Sequence, residues 1–584
     1  MTNIFEPTVE IWAPPEEKEL GGLFAALRER GLDVREPGGL CLVVARDVLE
    51  PGLADVMERA RIGGRNWLLL SVTGELASVG PIFGPERSPC YRCLANRLRL
   101  NGAGRALPLA PAQREAAFQV AASEAATWLR TRRAKTEQHW ISIGPDGTRL
   151  RHPLIAFCDD CKASAPRLRL TASCLESGSS GIVSGCAVDE IAPGLFRASA
   201  ECSQTWVPDH AGRYFREPPQ CVDGKGETAA AAIRSCLGEA VERYSILCQG
   251  SEQRQTGSYR AVADRAIHPD SLTLTSVRQQ SRAAWWRRHH GSFHWPNEPF
   301  DESCEIEWVE AIDVGSGEAV LVPAEYCLLG FGARFAQADS NGCAAGGTKW
   351  RAARSALLEL IERDSVAIWW YNRLERPRFD WRAFDATGRI ARISRWLQRQ
   401  GRRFWILDVT ADLNISVCVA ISCDADGCHI ALGSGASLSP EIAAWKAVAE
   451  MTVHTRDFDT RRGAPPQDAN LRAWWRWWHD SRLADHSYLV PNGKAPRSAS
   501  AAHSSAKGEF LTCVRQIELA GMRVLLYDQT RPELKIPVIR AVVPGLRHFW
   551  ARFTPGRLYD VPVKLGWRTD PIVEKDLNPI PYFL

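Results

Sequence analysis

The sequence predicts a mixed α/β (α+β) protein: a small zinc-stapled α/β domain over residues 1–165, a linker over 166–185, and a larger domain over 186–584. Three observations carry this. Helical patterns alternate with short apolar runs through the first part, two Cys-x-x-Cys pairs lie in the same stretch, and an acidic helical segment occurs twice in the second. A chain of 584 residues has ample core, and its 45% hydrophobic and 24% charged fractions are those of a globular protein. With 72 basic against 68 acidic residues the net charge is only +4, which argues against nucleic acid as a partner.

Met1–Pro15 has no basic segment followed by an apolar core, so it does not read as a signal peptide. No apolar run approaches the roughly 20 residues of a membrane span, and no membrane partner is expected. The expected compartment is the cytoplasm, where the 18 cysteines stay reduced and serve mostly as small buried hydrophobes.

Taken in order, Glu16–Arg30 reads as an amphipathic helix closed by Gly31, and Leu40–Ala45 as a buried strand. Val48–Ile62 is a second helix closed by Gly63-Gly64, and Trp67–Val72 a second strand. The alternation predicts a parallel, doubly wound sheet, although neither GxGxxG nor GxxxxGK[ST] is present. Asn492–Gly508, with its Ser/Ala cluster, reads as a surface loop.

Cys90 and Cys93 form one Cys-x-x-Cys pair, Cys158 and Cys161 another. Four thiolates close a tetrahedral Zn²⁺ site with no open position, so the metal would be structural. A redox dithiol is the competing reading, weakened by there being two pairs in one small domain of a reduced compartment.

The acidic segment is the more informative signal. Ser235-Cys-Leu-Gly-Glu-Ala-Val-Glu-Arg-Tyr-Ser245 matches Ser355-Ala-Leu-Leu-Glu-Leu-Ile-Glu-Arg-Asp-Ser365, and a weaker third copy spans Gly435–Glu450. Helical spacing puts Ser235, Glu239 and Glu242 on one face, and Ser355, Glu359 and Glu362 likewise. Glu239–Arg243 and Glu359–Arg363 could be plain i,i+4 ion pairs. Their apolar flanks (Leu237, Val241, Leu357, Leu358, Ile361) instead set both helices against a core. Converging carboxylates there need cations, and hard oxygen ligands suit Mg²⁺ with a phosphorylated substrate. Lys225, in Gly-Lys-Gly, and Ser340-Asn341-Gly342 precede the two helices and are reasonable phosphate partners.

Together, Lys225, SxxxExxER at 235–243, SNGxAAG at 340–346 and LExxERDS at 358–365 followed by Trp369-Trp370 resemble the YcaO family. So do Thr554-Pro-Gly-Arg-Leu-Tyr-Asp-Val-Pro-Val563 and the tail Pro579-Ile-Pro581-Tyr-Phe-Leu584, so that the resemblance covers about residues 175–584. Gly80-Pro-Ile-Phe-Gly84 leading into Cys90-Tyr-Arg-Cys93 resembles the truncated ubiquitin-activating-like (Ocin-ThiF-like) zinc domain fused to cyclodehydratases of thiazole/oxazole-modified peptide biosynthesis.

The resemblance implies a YcaO-type ATP-binding domain at 186–584 and an ATP-dependent peptide backbone cyclodehydratase. A Cys, Ser or Thr side chain of a ribosomal precursor attacks the preceding amide carbonyl, ATP phosphorylates the oxygen, and phosphate leaves an azoline. The implied cofactors are ATP, Mg²⁺ and a structural Zn²⁺. Glu239, Glu242, Glu359 and Glu362 carry over as Mg²⁺ ligands. Lys225, Ser235, Arg243, Asn341 and Arg363, with Glu450 and Arg456 from the third segment, carry over as nucleotide contacts or supports. The third segment lacks the family's usual Gln before its Arg, and the tail has a single Pro-x-Pro.

The chain enters its first helix–strand pattern without room for the winged-helix module that often clamps the precursor's leader. A separate leader-binding Ocin-ThiF-like protein is therefore the expected partner, beside the precursor and a flavin-dependent azoline dehydrogenase, and a homodimer is the expected assembly. Two other functions compete: a YcaO making thioamides or amidines, and a non-catalytic scaffold that binds the precursor. The fused zinc domain speaks against the first and the intact carboxylates against the second. The Trp474–Trp478 cluster reads as packing, Cys343 as a buried structural thiol, and His289, His290 and His548, without an acid partner in sequence, as non-catalytic.

Overall fold

The computed structural model describes the chain except residues 1–7, 15–18, 51, 73–76, 86–88, 102–109, 138, 166, 204–205, 209–213, 217–219, 333, 461–464, 494–504 and 583–584. The N-terminal unit is built on seven strands: β1 (Thr8–Trp12), β2 (Asp33–Val34), β3 (Leu40–Ala45), β4 (Trp67–Ser71), β5 (Ala77–Phe83), β6 (His139–Ile143) and β7 (Arg149–Pro153). Their order is β2-β1-β3-β4-β5-β6-β7. Four helices cover it: α1 (Gly21–Glu29), α2 (Leu53–Ile62), α3 (Tyr91–Leu100) and α4 (Pro111–Thr131). Leu23, Leu27, Phe118 and Ala121 of α1 and α4 fill one face. Leu53, Met57, Tyr91 and Leu94 of α2 and α3 fill the other.

The sheet is thus wound on both faces, as the alternation predicts, but only half of it is parallel. β2, β1, β3 and β4 run parallel, while β4–β5, β5–β6 and β6–β7 are antiparallel. The connections at 72–76 and 144–148 are too short for a parallel crossover, which takes a dozen or more residues. Among the described residues the two expected helices run over Gly21–Glu29 and Leu53–Ile62; residues 16–18 and 51 of the expected spans lie outside the described residues.

Residues expected to form a linker are packed. Leu168 N–H donates to Leu534 O at 2.9 Å, and Ile155, Leu175 and Ile182 share one apolar cluster with Leu237 and Val241. Ser180 bridges back, its hydroxyl donating to Pro153 O at 2.7 Å and accepting the Trp140 indole at 3.0 Å.

Beyond this, three antiparallel strands (Val183–Ala192, Leu195–Cys202, Cys221–Gly226) lead to the first acidic helix, Ala229–Ile246. A six-stranded sheet contributes Cys343–Ala345, which leads to the second acidic helix, Lys349–Asn372. A further three-stranded sheet ends in Ala431–Ser437 and leads to a third helix, Pro440–Thr460. The second acidic helix is the central post of the largest core, with Leu357, Ile361, Trp369 and Trp370 wholly enclosed. Trp477 and Trp478, on helix Ala469–Asp480, are buried, and the Trp477 indole donates to Ile430 O at 3.0 Å, so they pack. Within the expected loop Asn492–Gly508, residues 494–504 lie outside the described residues.

The Thr554–Val563 motif is anchored to the same post. Arg557 forms a fork on Asp364 at 2.6 and 2.9 Å and a second contact to Asp412 at 2.7 Å. The Asp364 side chain is 0% exposed and that of Asp412 4%. Arg557→Met leaves the Asp364 carboxylate buried without its cation and Asp412 with Lys564 alone, at 3.3 Å. It is expected to cost about 3–5 kcal/mol, measured by urea unfolding. A loss under about 1 kcal/mol would mean that the network contributes little.

Candidate active site

Each of the three strand–helix units is built the same way. Thr228 caps the first helix by accepting Ala231 N–H at 3.2 Å, and Thr348 caps the second by accepting Arg351 N–H at 3.3 Å. Ser439 holds that place in the third, accepting Ile442 N–H at 3.5 Å. In the first and third units the strand presses on its helix so closely that glycine is required. A Cβ on Gly224 would lie 2.3 Å from Ala232 O and 2.1 Å from Cys236 N; one on Gly435 would lie 2.6 Å from Ala443 O and 2.7 Å from Ala447 N. These are corresponding atoms, so the weak third copy is a true structural repeat, and Glu239, Glu359 and Glu450 occupy one position of it.

The units close on one another through their acids. Glu239 accepts Asp223 N–H at 3.1 Å and Arg243 at 3.0 Å. Glu359 takes two bonds from Arg363 at 2.6 and 2.9 Å. Glu362 reaches across to the third unit, accepting the Ser434 hydroxyl at 2.6 Å and Ala436 N–H at 3.0 Å. Lys225 of the first unit pairs with Glu450 of the third, which His454 also approaches at 3.4 Å.

Burial pushes the Glu242 carboxyl well above the ordinary range, with Glu359 adding to it and Arg243 opposing. Glu359 is raised by burial too, against the pull of Arg363. Burial would also raise Glu450, but Lys225 and His454 outweigh it and hold the group at about 2. Two carboxyls whose charge is disfavoured, next to basic side chains, fit a centre that gains from an added cation. No three described carboxylates lie within 4.8 Å of one another.

Asn341 is buried, its N–H held by Asp339 at 2.7 Å, while its carboxamide oxygen has no partner among the described residues. Such an orphaned acceptor beside the two helices fits a polar ligand. Ser235 and Arg456 are different: both are exposed on their helices, and neither bonds to the acids among the described residues. Cys343 is buried, and burial pushes its thiol up, as fits a structural role.

Several contributors were not singled out in the sequence, although the tail motif that holds Tyr582 was. Lys446, one turn before Glu450, donates to Ala436 O at 3.1 Å, and burial lowers its amine despite the nearby Glu362. Tyr582 of the tail is buried and raised by burial, with Glu362 and Glu450 adding to it. Trp370 donates to Ile580 O at 2.7 Å and fixes this tail on the second acidic helix. His548 does have an acid partner, Asp339 at 3.0 Å, which lies 209 residues away and so escaped the spacing argument. A cavity of 720 Å³ lined by Glu252, Arg254, Trp308 and Arg531 opens at Ser245, one turn beyond Glu242, and none of the four glutamates lines it.

In the N-terminal unit, Cys90 and Cys158 each stand just ahead of a helix, with Cys93 and Cys161 one turn in. The four sulfurs lie within 4.8 Å of one another, Cys90 and Cys93 each 3.6 Å from Cys158. A Zn²⁺ tetrahedron with bonds of about 2.3 Å sets its sulfurs about 3.8 Å apart, so the group could hold zinc. Bonds from Cys161 and Cys90 lower the Cys93 thiol, and Phe157 N–H donates to its sulfur at 3.1 Å.

Against known proteins, the family profile described as YcaO cyclodehydratase, ATP- and Mg²⁺-binding, matches residues 223–547. The chain belongs to the YcaO family. This YcaO chain is similar to a heterocyclase solved in complex with substrate and cofactor: 28% identity, TM-score 0.86, covering 99% of this chain and 86% of that one. It is similar to the heterocyclase TruD at 27% identity and TM-score 0.76, covering 99% of this chain and 84% of the other. An uncharacterized protein of Methanothermobacter thermautotrophicus is 25% identical over 343 residues, 56% of this chain and 81% of that protein. The heterocyclase likeness therefore spans the cysteine-bearing unit as well as the YcaO region. No helix among the described residues is long and apolar enough to cross a membrane.

Proposed function

We propose that this YcaO protein is an ATP-dependent cyclodehydratase that converts Cys, Ser or Thr residues of a ribosomally made precursor peptide to azolines. The observation that carries the reading is the likeness, over nearly the whole chain, to a heterocyclase bound to substrate and cofactor. In it, Glu239, Glu242, Glu359 and Glu362 hold Mg²⁺, and Lys225, Arg243, Asn341, Arg363 and Glu450 contact or support the nucleotide. Ser235 and Arg456, being exposed, serve at its edge. When bound, Mg²⁺–ATP supplies the phosphoryl group that turns an amide oxygen into a leaving group.

The chain's own part is electrostatic. Arg243 and Arg363 hold the carboxylates in place, and the tail with Tyr582 and Trp370 keeps water from that side. For each ring, the sulfur or oxygen bonds to the carbonyl carbon, the carbonyl oxygen departs on phosphate, and the side-chain and amide protons are released. A separate leader-binding protein of the Ocin-ThiF-like type, a flavin-dependent dehydrogenase acting on the azolines and a homodimeric state belong to the same proposal, as does the division at 1–165, 166–185 and 186–584.

The test is to incubate the chain with ATP, Mg²⁺ and a candidate precursor, a short Cys- and Ser-rich peptide carrying a leader segment, with and without a candidate leader-binding protein. Each ring should remove the mass of one water and release one ADP. A product that exchanges oxygen for sulfur identifies a thioamide former, and absence of ADP identifies a scaffold.

A further inference from the structure

One buried charge serves neither the cysteine group nor the acids, and it lies between them. Arg97 of α3 is 0% exposed, and its Nη2 donates to the Tyr244 phenol at 2.6 Å. That phenol donates in turn to Glu533 at 2.6 Å. Tyr244 and Glu533 are also buried, at 3% and 1%. The arrangement is incompletely satisfied: Arg97 Nε and Nη1 and Glu533 Oε2 are buried without a hydrogen-bond partner among the described residues. An interface that only had to adhere would be held at less cost by apolar side chains, because each orphaned buried polar atom and each charge without direct ionic contact is destabilising.

Both ends of this chain of contacts reach something functional. Arg97 is one helical turn from Cys93, and its guanidinium lies 5.5 Å from the Phe157 ring, whose own N–H donates to the Cys93 sulfur. At the other end, Tyr244 directly follows Arg243, which binds Glu239 at 3.0 Å and stands 4.0 Å from Glu242. Successive residues of a helix point about 100° apart. One helix thus presents Tyr244 to the N-terminal unit and Glu239, Glu242 and Arg243 to the acids.

We propose that Tyr244, held between Arg97 of the N-terminal unit and Glu533, is a positioning residue that sets the first acidic helix, so that ATP turnover depends on the N-terminal unit. The inference rests on the function proposed above. A small displacement of this helix leaves nucleotide binding largely intact but misplaces the carboxylates in the transition state, where sub-ångström errors are expensive.

The test uses the full chain with ATP, Mg²⁺ and the peptide described above, in the variants Tyr244→Phe, Arg97→Met, their double, and Arg97→Lys. Bound nucleotide per chain is titrated with a non-hydrolysable ATP analogue and Mg²⁺, and turnover is expressed per bound nucleotide. Tyr244→Phe and Arg97→Met are expected to lower kcat about tenfold or more while KM for ATP moves less than about threefold. The double variant should be no slower than the slower single, because both break one chain of contacts. Arg97→Lys, which keeps a donor, should recover part of the loss, and zinc content should be unchanged in all. A purely structural role would lower bound nucleotide and activity in parallel, leaving turnover per site intact. That result, kcat values within twofold of wild type, or losses that multiply in the double variant would overturn the proposal. Should Arg97→Met fail to fold, Tyr244→Phe, which loses only a hydroxyl, decides alone. A wild type that consumes no ATP overturns the functional reading itself, whereas active wild type with active variants overturns only this inference.

Discussion

Glu359→Gln is expected to abolish precursor-dependent ATP turnover, by about 10²-fold or more, while leaving the protein at least as stable as wild type. Both halves follow from the same electrostatics. Glu359 and Glu242 are each pushed up by burial, and each is a like-charge neighbour of another glutamate. A neutral side chain of the same shape relieves that repulsion, so the melting temperature should hold or rise. The lost carboxylate, however, is one of the four proposed to neutralise the transferring phosphoryl group through Mg²⁺. Glu242→Gln should behave alike. Turnover measured by ADP release, alongside thermal melting, checks both; a variant with wild-type turnover would falsify the metal assignment.

The second large effect concerns the cysteines. Cys93 is 0% exposed, in a small cluster with Ala156, Cys161 and Ala165 that buries little apolar surface of its own. Metal coordination of about 10 kcal/mol is then the dominant local term. Cys93→Ser or prolonged chelation should release zinc and expose residues 84–165 to proteolysis. Activity should fall as well, because Arg97 lies on the same helix. Purified protein that contains no zinc and is stable with or without chelator refutes the structural zinc.

The parts of the fold readable from sequence are those governed by local pattern. β3 is an unbroken apolar run and β4 one up to Ser71, and α1 and α2 are closed by glycines, so all four are legible. The antiparallel half is not, because Ala77–Phe83 is buried at every position and shows no alternation to mark its direction. Among site residues, the glutamates stand out because the strand–helix unit repeats. Lys446 and Ser434 do not, since in the other two copies their places are taken by different residues. Tyr582 and the Asp339–His548 pair are invisible to any spacing rule, because the fold alone brings them together. Ser235 and Arg456 show the converse: helical periodicity and a family motif name a residue without saying how far along its face the burial reaches, and both stand exposed.

The ring of three strand–helix units also has a consequence in time. Its closing contact, Lys225 to Glu450, joins residues 225 positions apart. A ribosome adding about 5–20 residues per second needs more than ten seconds to travel that distance. Until the third unit emerges, Lys225 has no Glu450, and Glu362 has neither Ser434 nor the Ala436 amide. Under the assignment proposed above, a nascent chain holds only part of the site, and a nonsense mutation before residue 440 is expected to yield an inert product.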